Sequence, residues 1–79
     1  MTTQVEDLAA VPSGARAVIQ GLKGGRQFVQ RLTALGFTSG AEVLVKHNYG
    51  HGPIITQIRD TRIALGREEA RKIQVARVE

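Results

Sequence analysis

Seventy-nine residues allow one domain and leave no room for a second. There is no cysteine and no tryptophan, so disulfides and thiolate metal sites are excluded, and the core must rest on Val, Ile, Leu and Ala. Eleven Lys and Arg against seven Asp and Glu give a net charge of +4 and a pI near 10.4, but the bases are scattered and only Arg71 and Lys72 are adjacent, which argues against a dedicated nucleic-acid surface.

No stretch approaches the ~20 apolar residues that span a bilayer. Met1 to Gln4 lacks the apolar core of a signal peptide. A soluble, cytoplasmic chain is expected, with residues 1–4 loose. Asp7 is expected to cap a helical turn through Leu8, Ala9, Ala10 and Val11, because its side-chain oxygen can accept exposed N–H groups. Pro12-Ser13-Gly14 reads as a turn. Ala15 to Gln20 reads as a strand with Ala15, Ala17 and Ile19 on one face. The following "GLKGG" has three glycines in five residues and reads as a bend.

Arg26 to Leu35 carries the helix pattern. Phe28, Leu32 and Leu35 fall at i, i+4 and i+7, and Val29 widens that apolar stripe. Gly36 is placed to stop the helix in the left-handed conformation, which glycine reaches at little steric cost. With Gly36 at C′, Phe37 becomes C″ and folds back onto Leu32 at C3. Ser39-Gly40 supplies a turn. Ala41, Val43 and Val45 then alternate with Glu42, Leu44 and Lys46, the period of a strand.

"HNYGHGP", His47 to Pro53, is a polar glycine-rich loop leading to a strand over Ile54 to Arg59 and hence to an antiparallel hairpin. Asp60-Thr61 turns the chain into a short strand over Thr61 to Leu65, and Gly66 breaks it. Arg67 to Lys72 reads as one helical turn, with Glu68 and Lys72 spaced to pair at i, i+4. Ile73 and Val75 open a last strand that ends near Val78. Five short strands with tight turns suit a small, strongly bent β-barrel with one α-helix over an opening. Its edges must be closed or blunted.

The inventory for chemistry is poor. His47 and His51 are four apart, a chelating spacing on a helix, but Asn48, Tyr49 and Gly50 between them argue for a loop without fixed geometry. No Cys or nearby carboxylate completes a zinc set, so they remain weak metal candidates. "GLKGG" precedes a helix but lacks the Walker spacing, and a bend that needs small residues is the plainer reading. Ser13 and Ser39 lie in turns. Glu68 and Glu69 do not share a helix face. No catalytic set and no cofactor is expected, which leaves a binding module. Leu22, Leu44 and Tyr49 lack core positions and are the candidate partner contacts. Single exposed apolar residues are also ordinary.

"RLTALGFTSGAEVLV", then "GP", then "TRIALGREEARKIQV" resembles the FeoA family of small ferrous iron transport proteins, over about Leu8 to Val78. The resemblance implies one SH3-like barrel spanning 1–79, with Gly36, Phe37 and Gly40 as structural positions. It implies a non-enzymatic cytoplasmic protein that binds the FeoB membrane transporter and modulates ferrous iron uptake. Similar domains occur in metal-dependent repressors. The family has no fixed metal-ligand motif to carry over, and the loop from His47 to Gly52 varies among its members. Ser39 stands where a proline is common, and Gly66 where Arg usually follows "IAL". A basic nucleic-acid-binding barrel and a metal-sensing regulatory module remain the alternative functions.

Overall fold

A computed structural model describes residues 4–78. Strands β1 (Val5–Asp7), β2 (Arg16–Leu22), β3 (Glu42–His47), β4 (Ile54–Ile58), β5 (Thr61–Leu65) and β6 (Ile73–Arg77) form one antiparallel sheet in the order β1-β6-β2-β3-β4-β5. A 3-10 turn, Leu8–Ala10, follows β1. Helix α1 (Arg26–Ala34) lies between β2 and β3, and the short α2 (Arg67–Arg71) between β5 and β6. The mainly β architecture with one substantial helix is the one expected, but six strands, not five, are present among the described residues. The added strand is β1, whose Val5 pairs with Ala76. Three residues carry no alternation signal, so only the partner defines that strand. The expected loose start at Met1–Thr3 lies outside the described residues.

The core is aliphatic apart from Phe37, as composition demanded. Leu8, Val11, Leu32, Phe37, Val43, Val45, Ile54, Ile73 and Val75 are all fully buried. In β3 the alternation holds, with Val43 and Val45 inward and Leu44 outward. Thr56 is the buried polar residue of the core, and its Oγ1 donates to the Ile63 carbonyl at 2.8 Å across the hairpin.

The turn at Gly36 forms as its sequence requires. Leu35 is the C-cap, and Gly36 takes φ 107°. The Gly36 amide donates to Thr33 O at 3.0 Å and the Phe37 amide to Leu32 O at 3.0 Å. These are the two hydrogen bonds of a Schellman motif. Gly40 follows at φ 91° and donates to Ile19 O at 2.8 Å, joining the turn to β2.

Several local expectations change. Asp7 occupies the N-cap position of the 3-10 turn, but its side chain makes no cap hydrogen bond. β2 continues through Gly21 and Leu22, where a register shift after Ile19 absorbs the flexible glycine. The bend is therefore confined to Lys23–Gly25. Glu68 pairs with Arg71 at i, i+3 and not with Lys72. Lys72 instead lies 5.3 Å from the centroid of the Phe28 ring.

The two edges of the sheet are tied through their neighbours. The 3-10 turn after β1 packs against α2, which follows β5. Asn48 Nδ2 donates to Ala9 O at 2.9 Å and to Val11 O at 2.8 Å. Arg67 Nη1 donates to Asn48 Oδ1 at 3.1 Å, and its Nη2 to Ala9 O at 3.3 Å. The polar loop after β3 thus fastens the start of the chain to α2, and its Asn48 is a bonded tie as well as a loop residue. Among the described residues no helix is long and apolar enough to cross a membrane.

A candidate docking groove

An open groove of about 820 Å³ lies where the end of α1 meets the β4–β5 turn. Its floor is a cross-strand row on the outer face of the sheet. Register places Arg16 opposite Leu44, and Leu44 opposite Gln57. Ala34, Leu35 and Gly36, with Thr38 and Ala41, form one wall; Ile58, Arg59 and Thr61 form the other. The Schellman stop places the first wall, because the helix ends at Ala34 and leaves Leu35 and Gly36 at the groove's edge. Leu35 is 43% exposed, whereas Leu32, one turn earlier, is fully buried. The two walls approach closely: a Cβ on Gly36 would lie 3.2 Å from Ile58 Cγ2.

The polar rim is mixed. Arg16 and Glu42 face each other at 3.7 Å with both side chains more than half exposed, a pair of little energetic weight. Arg59 stands at φ 55°, the one non-glycine residue in the left-handed region among those described. A strained residue on the lip of a groove is a recurring feature of binding sites. The groove offers apolar contact from Leu35 and Leu44 and hydrogen-bonding groups from Gln57, Thr38 and Thr61. It has the make-up of a recognition surface.

Of the three partner contacts expected from sequence, the structure places Leu44 on the groove floor. Leu22 is half-buried, opposite Ile73, and packs against the core, which corrects the expectation that it is exposed. Tyr49 is 69% exposed in the loop after β3, and its hydroxyl bonds His47 Nδ1 at 2.9 Å. The three are not brought together. Sequence reasoning missed Leu35, because its place in the helical stripe read as core. The available signal was its position immediately before Gly36, where the chain leaves the helix axis.

The other candidates have local roles. The His47 and Tyr49 rings stack at 5.6 Å, and His51 is exposed in the loop beyond. No cluster of three or more His, Asp or Glu able to hold a metal occurs among the described residues. Ser13 Oγ accepts the Asn48 amide at 2.7 Å, and Ser39 Oγ donates to Gln20 O at 3.2 Å, so both hydroxyls tie their turns to distant segments. The bend before α1 needs a small residue, since a Cβ on Gly24 would lie 2.9 Å from Phe28 Cδ2. Arg16, Arg31, Arg71 and Arg77 each face a carboxylate, so the basic charge is partly neutralised in place.

Comparison with known proteins places these features in a wider group. Residues 7–77 match the FeoA domain family. The chain is 32% identical over 68 residues to a Methanocaldococcus jannaschii protein provisionally named Fe(2+) transport protein A, covering 86% of this chain and 82% of that protein. The crystal structure of an iron uptake regulatory protein (FeoA) superposes with a TM-score of 0.88 at 28% identity, covering 95% of this chain and all of the other. The zinc-complexed FeoA of Stenotrophomonas maltophilia, described as a procaryotic SH3 domain protein and put forward as a ferrous iron transport activating factor, superposes with a TM-score of 0.78 at 30% identity over 87% of both chains.

Proposed function

The chain belongs to the FeoA domain family, and from this premise we propose that it is a non-catalytic accessory protein of ferrous iron uptake. It docks on the cytoplasmic region of a FeoB-type ferrous iron transporter and modulates transport there. The observation that carries the reading is the groove of about 820 Å³ at the end of α1, with the exposed Leu35 on its wall and Leu44 on its floor. The family's association with Fe(2+) transport supports a ferrous iron transporter as the partner, and the barrel offers a rigid frame for recognition. Apolar anchors in a groove with a polar rim are the usual make-up of a protein interface.

The test uses the intact protein. Binding to the purified cytoplasmic region of the transporter is measured for wild type, Leu35→Glu and Leu44→Glu, with thermal unfolding run on each. Ferrous iron accumulation is measured in a gene-deletion strain carrying each variant. The expected result is weaker binding and altered accumulation for both variants with the fold retained. Normal ferrous iron accumulation in the deletion strain overturns the function. Full binding by Leu35→Glu and Leu44→Glu overturns the groove as the docking surface.

A further inference from the structure

The two edges of the sheet are finished differently. β1 is three residues long, and Glu6 on it is held by Arg77 at 3.0 Å. β5 is five residues long and, among the described residues, pairs with β4 only. Ile58 and Thr61 flank a two-residue turn, so they form a hydrogen-bonded pair, as do Thr56–Ile63 and Ile54–Leu65. By alternation, the N–H and C=O of Arg62 and Ala64 point away from β4. Neither residue has another main-chain hydrogen bond among those described, and both are exposed. The outer edge of β5 is therefore an open pairing template.

The side chains along that edge select what can pair with it. The groove-floor row Arg16–Leu44–Gln57 continues to Arg62, which lies opposite Gln57. Arg62 has no carboxylate partner among the described residues, nor does Arg59 in the adjacent turn. Asp60, between them, makes no ion pair with either. A strand added to β5 places one residue beside Arg62 and a residue two positions away beside Ala64 on the same face. An acid beside Arg62 extends that row, and an apolar residue beside Ala64 extends the neighbouring row from Ile55.

We infer that β5 binds an extended, acid-bearing segment of a partner protein by strand addition, with Arg62 selecting the acid. A second copy of this chain is the poorer occupant, because each copy carries a net charge of +4. The inference goes beyond the transporter reading and does not depend on it, since it concerns main-chain pairing along the β5 edge that borders the groove and names the segment by its chemistry.

The probe is a blocked peptide of about ten residues alternating Glu with Val, with a Lys-for-Glu peptide as control, a length sufficient to cover a strand. Binding to the full chain is followed by amide NMR and amide exchange. The Glu peptide should shift and protect the Arg62 and Ala64 amides, and the Lys peptide should bind about tenfold more weakly or worse. Ala64→Pro removes the outward N–H without touching the β4 ladder and should weaken binding at least about tenfold. Arg62→Glu should reverse the preference between peptides. Peptide shifts that bypass Arg62 and Ala64 overturn the inference. So does Ala64→Pro binding at full strength, or protection of both amides in the free protein with concentration-dependent dimerisation.

Discussion

The amide of Phe37 donates to the carbonyl of Leu32 at 3.0 Å, and both side chains are fully buried. That contact closes the end of α1 and turns the chain into the barrel. The chain between them must reverse, and Gly36 makes the reversal possible at φ 107°.

Replacing Gly36 by alanine should therefore cost about 1–3 kcal/mol, since the backbone strain adds to a Cβ contact with Ile58 Cγ2. Gly40 is the internal comparison. It stands at φ 91° with nothing within 4 Å of a Cβ, so Gly40→Ala should cost about 1 kcal/mol from backbone strain alone. Urea unfolding of both variants checks the ranking, and an equal cost at the two positions would remove the role of Ile58.

Leu32 and Leu35 are three residues apart and should respond in opposite ways. Leu32→Ala empties a fully buried position and should cost about 2–5 kcal/mol. Leu35 is 43% exposed, and Leu35→Ala should stay within about 0.5 kcal/mol of wild type. Chemical denaturation decides it, and comparable losses would mean that Leu35 belongs to the core.

Asn48 is the third test. Its Nδ2 serves the carbonyls of Ala9 and Val11 while Oδ1 accepts from Arg67. Asn48→Ala should cost about 1–3 kcal/mol, because the Val11 carbonyl loses its donor and the Ala9 carbonyl keeps only Arg67. For a domain of this size that corresponds to a fall in Tm of about 4–8 °C per kcal/mol. Asn48→Asp should be worse than alanine, as it turns an oxygen toward two carbonyls. A thermal melt of Asn48→Asp matching wild type would show that the tie contributes nothing.

Arg59 holds φ 55° in the β4–β5 turn. Arg59→Gly should leave stability unchanged or raise it by up to about 1 kcal/mol, since glycine takes that conformation freely. A marked loss in denaturant unfolding would indicate that the arginine side chain stabilises the turn.

The stop at Gly36, the return of Phe37, the alternation of β3 and its antiparallel hairpin with β4 were all legible in the sequence, whereas the turn expected at Asp60-Thr61 falls one residue earlier, at Arg59–Asp60. Each depends on neighbours within a few residues: a glycine conformation, a helical stripe, a two-residue period. The FeoA resemblance was carried by these same local pieces. Other features needed the assembled barrel. β1 exists because β6 is beside it, and Leu22 lies against the core because β2 carries on through Gly21 to meet Ile73. Asn48 and Arg67 meet across 19 residues, and Leu35 faces the groove because Ile58 and Arg59 arrive opposite it from a distant hairpin. Local conformation follows from backbone sterics and side-chain period, which a short stretch of sequence contains. Strand partners, residual exposure and the shape of a groove follow from contacts between segments far apart in the chain, which only the closed fold brings together.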